Sequence, residues 1–265
     1  MAAPVAIAGI WDFSVCNGST TAPGTAAGTA TNAGMVGNRY GCAATGTTTR
    51  DLEVSAWGAI SATENVFGTA FVSNRGLDGF GVSSQAEGGP AAASPSDALD
   101  NDPSSLAPNL ILLRFGGAVI LDQVTLGWST SDADLTIMAY TGPGTPSTFL
   151  EGKDLGTLTS GGAGGGWSLV QNVGDEAPDT AYAASGTRID YSVNAGGVSS
   201  TYWLISAYSS GFGGGELDSL IDYTNLLGVA ARDAPVPVPV PEPATSILVA
   251  TAVLMIGRRR SGAGR

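Results

Sequence analysis

The 265-residue chain has room for one large domain or two small ones, and with 43% apolar residues it can bury a core. Thirty-nine glycines and 13% charged residues, against the usual ~25%, exclude a coiled coil or a charged helical bundle. A formal charge of −12 with one lysine, Lys153, excludes a phosphate-binding surface and a nucleic-acid partner, and the lack of histidine excludes His-dependent triads and His-built zinc or copper sites.

Residues 1–8 carry no basic side chain, yet Ala6, Ile7 and Ala8 fit a small-residue cleavage pattern. They read as the remnant of a signal peptide whose start lies upstream of Met1; the competing reading makes them the first strand. Gly9–Phe13 then reads as an early strand. Cys16 and Cys42 stand 26 positions apart in a stretch rich in Gly, Thr and Ala. Period-two alternation follows repeatedly. Leu52, Val54 and Ala56 share one face, as do Val124, Leu126 and Trp128, then Leu135, Ile137 and Ala139, then Ile189, Tyr191 and Val193. Residues 109–115 and 202–208 are denser apolar runs, the pattern of central strands covered on both faces. Turn-forming clusters separate these runs, at 88–90, 141–144, 161–166 and 211–215, with no helical period between them. The expected body, residues 9–228, is therefore an antiparallel β-sandwich or jelly roll.

Two Asp-x-Asp pairs offer hard oxygen ligands of the kind calcium takes: Asp100 with Asp102, and Asp132 with Asp134. Neither continues as an EF-hand, because the sixth positions are Ser105 and Ile137 and the twelfth are Ile111 and Pro143. Asx-rich turns capping strands explain the same spacing, so calcium is a candidate structural cofactor. A carboxylate pair for glycoside hydrolysis would need Asp132 to converge with Asp190 or Glu216, which spacing does not place; the chain is read as a non-enzyme. Tryptophan stacks on sugar rings when exposed, and Trp167, directly after the Gly-rich run, is the candidate for that role, with core packing as the alternative.

Composition breaks after Gly228. Residues 229–240 read as a Pro-rich linker: prolines at 235, 237, 239, 241 and 243 impose an extended rod. Ala244–Gly257 is uncharged and closes on Arg258, Arg259 and Arg260. At 1.5 Å per residue those fourteen residues cover about 21 Å of a ~30 Å hydrocarbon layer, one short transmembrane helix that the arginines extend by snorkelling. The arginine triplet predicts a cytoplasmic tail, 261–265, and an exported body. In an exported chain, Cys16 and Cys42 are candidates for one disulfide, with two buried thiols as the alternative.

Val240, Pro241, Glu242 and Pro243, the apolar run and the arginine triplet, in that order over 241–260, resemble the PEP-CTERM sorting signal of Gram-negative bacteria. The resemblance implies recognition of Pro241–Pro243 by an exosortase, a membrane cysteine transpeptidase, and removal of the helix and tail. It further implies transient inner-membrane anchorage and a mature form at the cell surface or in an extracellular polysaccharide matrix. The body is also similar to the exosortase-dependent surface proteins, through residues 52–57, 97–101, 124–128, 132–142, 166–170 and 200–208, a family that brings no catalytic residues. The expected role is that of a structural or interaction component. The alternatives are a carbohydrate-binding module acting on exopolysaccharide, and a membrane-anchored protein without processing.

Overall fold

The computed structural model describes residues 9–16, 39–46, 50–89, 97–102, 107–146, 150–159, 165–174, 187–214, 217 and 220–235. These residues are mainly β, with fourteen strands in one large antiparallel sheet. In chain order the strands are β1 (Gly9–Asp12), β2 (Arg39–Cys42), β3 (Thr45–Gly46), β4 (Leu52–Ser61), β5 (Glu64–Thr69), β6 (Phe71–Asn74) and β7 (Phe80–Ser83). They continue as β8 (Leu99–Asp100), β9 (Leu110–Ser131), β10 (Leu135–Tyr140), β11 (Trp167–Val173), β12 (Ile189–Ser192), β13 (Ser200–Ala207) and β14 (Asp222–Asp233). One short helix, α1 (Leu155–Thr159), precedes β11; Asp154 caps it by accepting the Thr157 amide at 2.6 Å, and Leu158 is its buried residue.

The organising element is β9. The two runs at 109–115 and 124–128 belong to this single strand, which passes through Gly116 and Gly117 without ending. Its first half pairs with β13 on one side and β4 on the other. Its second half pairs with β12 and β14. At the junction Tyr202 pairs with Arg114 but Ser200 with Val119, so β9 carries a bulge there, the device by which a strand bends and twists. A second irregularity falls at Gly127: Leu226 faces Leu126 while Asn225 faces Trp128. A Cβ on Gly127 would lie 2.6 Å from the Asp78 carbonyl oxygen, so the turn over residues 76–78 needs glycine beneath it. The shift takes Trp128 off the face of Val124 and Leu126 and leaves it half-buried.

Alternation sorts side chains into two apolar layers. Ile111, Leu113 and Phe115 of β9 join Leu52, Val54, Ala56, Ile137, Ala139, Trp203 and Ile205 in the main core, which also receives Trp11, Phe80, Leu126, Leu226 and Val229. The opposite faces carry Leu110, Leu112, Met138 and Leu204, covered by Phe67, Leu150, Leu158, Trp167 and Phe212. The runs at 109–115 and 202–208 are thus buried on both sides, as continuous hydrophobic strands require.

The body does not stop at Gly228. β14 runs to Asp233 between β1 and β9, with Val229, Ala230 and Ala231 buried, and the compact unit ends at Ala234. Residues 229–234 therefore belong to the body and not to the linker. Gly228 is needed where β1 lies close: a Cβ there would sit 2.6 Å from the Trp11 carbonyl oxygen. Cys16 and Cys42 are disulfide-bonded, their Cα atoms 4.9 Å apart. Residues 1–8, the segment 236–240, the expected sorting signal 241–260 and the expected tail 261–265 lie outside the described residues. No helix among the described residues is long and apolar enough to cross a membrane.

Candidate metal centre

β9 ends at Ser131 and β10 begins at Leu135, so the connection between them is the segment Asp132–Asp134. Ala133 is fully buried in the main core, which anchors the connection and carries both flanking aspartates inward. Asp222, at the start of β14, bridges to Asp132 as a parallel pair. The carboxylates of Asp132, Asp134 and Asp222 come within 4.8 Å of one another, and the three residues are 0%, 2% and 1% exposed.

Local hydrogen bonds hold the geometry. The Ala133 amide donates to Asp132 Oδ1 at 2.8 Å, and the Asp134 amide donates to Asp222 Oδ1 at 2.7 Å. Asn101 grips Asp222 from both sides: its Nδ2 donates to Asp222 Oδ2 at 2.6 Å, and its Oδ1 accepts the Asp222 amide at 2.9 Å. The same Nδ2 donates to the Tyr208 carbonyl at 2.9 Å, while the Tyr208 amide donates to the Asp134 carbonyl at 2.9 Å, tying β13 into the site.

Three ionised carboxylates this close repel one another, about 4 kcal/mol for a pair 4 Å apart at an effective dielectric of 20. Bound protons or a cation must offset that repulsion. The donor set is all oxygen, the chemistry that selects a hard divalent ion over zinc or copper. The three carboxylates could hold such an ion.

Of the two Asp-x-Asp pairs, the structure brings only Asp132 and Asp134 into this centre. At 100–102 the middle residue, Asn101, makes the connection, and the aspartates point elsewhere. Asp100 is fully buried and faces Glu87; burial, then the Glu87 charge, pushes its carboxyl up to about 9. Asp102 accepts a 2.9 Å hydrogen bond from the Tyr223 hydroxyl, whose pKa is raised by burial and then by that bond. Asp222, Asn101 and Glu87 went unread in the sequence. Asp222 lies 88 positions from Asp134, and no local spacing announces it.

The remaining candidates are placed differently. Trp167 is not exposed: at 4% it packs in the outer apolar layer, edge-on to Tyr140 at 5.4 Å between ring centroids, so it offers no face to a sugar. Trp11, Trp57 and Trp203 are buried as well. Asp190 sits in β12, accepting from Thr125 Oγ1 at 2.6 Å and pairing with Arg188 at 3.1 Å. Glu216, Val240, Pro241, Glu242, Pro243, Arg258, Arg259 and Arg260 lie outside the described residues. Comparisons of this chain with protein-family models, with curated proteins and with solved structures find no match.

Proposed function

We propose that this chain is an exported bacterial surface or extracellular-matrix protein, delivered by an exosortase through its C-terminal signal, with a structural or interaction role and no catalytic one. The observation that carries the reading is the fixed order over 235–260: a proline rod, Pro241-Glu242-Pro243, an uncharged apolar run, and three arginines. The bonded Cys16–Cys42 pair supports it, since disulfides persist in oxidising compartments.

In this reading the two halves of β9 carry the two layers of a β-sandwich, and 241–260 forms the short membrane helix with its recognition motif. A structural calcium at Asp132, Asp134 and Asp222 then fixes the end of the sandwich where β9, β10 and β14 meet. The acidic, lysine-poor composition keeps the body soluble among anionic polysaccharides, which are its proposed surroundings. The buried Trp167 removes the sugar-stacking candidate, which favours a matrix component over a carbohydrate-binding module.

Intact mass of the native protein from envelope and matrix fractions, in strains with and without the exosortase, tests the reading. Loss of the residues after Pro241–Pro243 only where the enzyme is present is the expected result. An uncut chain in both strains would make the tail a plain membrane anchor.

A further inference from the structure

We infer that the facing carboxyl groups of Glu87 and Asp100 form a second site for a hard divalent cation of the calcium or magnesium class, distinct from the three-aspartate centre. It stands on its own observations. Asp100 is 0% exposed; its Oδ1 accepts the Asp102 amide at 3.3 Å, while its Oδ2 is buried with no N–H or hydroxyl donor, and the group its carboxyl meets is the Glu87 carboxyl. A buried carboxylate oxygen without a donor costs on the order of 1–3 kcal/mol, more when charged, unless something positive meets it.

The group that Asp100 faces is another carboxylate, and it is held in place. Glu87 Oε2 accepts the Ser84 amide at 2.8 Å while Ser84 Oγ accepts the Glu87 amide at 3.3 Å, a reciprocal clamp that fixes the side chain. Asn109 Nδ2 donates to Glu87 Oε2 at 3.1 Å, but it also serves the Val82 and Ala98 carbonyls, so its hydrogens are shared among several acceptors. Glu87 Oε1 has only a long 3.4 Å approach from that amide. Among the described residues no arginine or lysine forms an ion pair with Asp100 or Glu87.

Asp100 Oδ2 and Glu87 Oε1 are therefore the two ligand atoms the pair offers, and water completes the shell, as hard cations bound by few carboxylates accept. Tyr223, directly opposite Asp100 in the β8–β14 pairing, donates to Asp102 beside it. Glu87 is only half-buried, which gives the ion a path from solvent. The two centres share one strip of chain: Asp100 serves this site and the adjacent Asn101 grips Asp222.

Titration calorimetry of the full chain, freed of metal and titrated with calcium chloride and then magnesium chloride, tests the inference. Near-ultraviolet circular dichroism checks that each variant is folded. The expected result is two ions per chain, with one retained in Asp100→Asn and one, at the other site, retained in Asp222→Asn. Glu87→Gln, altered at the rim, should weaken one of the two at least tenfold. One ion that disappears in Asp222→Asn but is untouched by Asp100→Asn and Glu87→Gln would overturn this site and leave the three-aspartate centre standing. Two ions unaffected by either Asp100→Asn or Glu87→Gln would also overturn it, and no ion at all would overturn both centres.

Discussion

The sheet buries two of its regions by opposite means. Around Ile111 and Leu112, hydrocarbon covers both faces of β9, β10 and β13, and nothing there needs a partner beyond close packing. Where β9, β10 and β14 meet, the buried side chains are Asp132, Asp134 and Asp222, and Asp100, also buried, is the chain neighbour of Asn101, which holds Asp222. Burial of hydrocarbon stabilises at any pH and in any salt. Burial of carboxylates stabilises only when protons or cations come with it. The first region should respond to mutation of shape, the second to what is dissolved around it.

β14 belongs to both, beginning at Asp222 and ending between β1 and β9, so cutting it should have the largest effect. A chain ending at Gly228 loses the buried Val229, Ala230 and Ala231 and most of the pairing to β1, and should fail to fold. A chain ending at Pro235 should unfold cooperatively at the same denaturant midpoint as the full chain. Equal stability of the two truncations would return residues 229–234 to the linker.

Within the apolar region, Trp203→Ala should cost about 3–5 kcal/mol in urea denaturation, because the ring is fully buried in the main core and its indole N–H donates to the Ser200 carbonyl. Trp128→Ala, at the half-buried bulge, should cost clearly less. Similar losses at both positions would mean that the Gly127 irregularity does not turn Trp128 away from the core.

The acidic region should answer to metal instead. Calcium at 100 times its dissociation constant should raise the unfolding free energy by about 2.7 kcal/mol per site, and a chelator should remove the gain. Asp222→Asn should cut that gain while Trp203→Ala keeps it in full, since the two regions stabilise independently. A gain lost equally in both variants would erase the distinction drawn between them.

That division also explains what the sequence could tell. The alternation at Leu52–Ala56, Leu135–Ala139 and Ile189–Val193 was legible because strand period and core face coincide there. The continuity of β9 was not, because Gly116 and Gly117 interrupt the apolar pattern between 109–115 and 124–128 yet lie within a strand, at its bulge. The end of β14 was misread for a related reason: Ala230, Ala231 and Arg232 carry little hydrophobic signal, yet they lie in a strand paired on both sides, with β1 and with β9. Trp167 followed a glycine run and suggested a loop, but it opens β11 against Tyr140. At the candidate centre, Asp132 and Asp134 were readable as a pair, whereas Asp222 and Asn101 join them only through antiparallel pairing of distant segments.

The smallest of these effects isolates a single proton. In the metal-free chain, burial and then Glu87 push the Asp100 carboxyl up to about 9, while the unfolded chain releases the same proton near pH 4. Between those values the folded state binds one more proton than the unfolded state, so its stability is fully present below about pH 4, falls as pH rises, and stops falling above about pH 9. One proton is worth about 1.4 kcal/mol per pH unit. The chain has no histidine, so no side chain with an ordinary pKa titrates between pH 5 and 8 to obscure the slope. The groups facing Asp100 are Glu87, Asp102 and Tyr223, and Asp100→Asn leaves all three in place, as it does Asp132, Asp134 and Asp222. Urea midpoints of metal-free wild type and Asp100→Asn, compared from pH 5.5 to 8, should therefore diverge most at the alkaline end, the variant, whose neutral amide stands in for the protonated carboxyl, being flatter by about that slope. Parallel curves would mean that Asp100 carries no extra proton in the folded, metal-free chain.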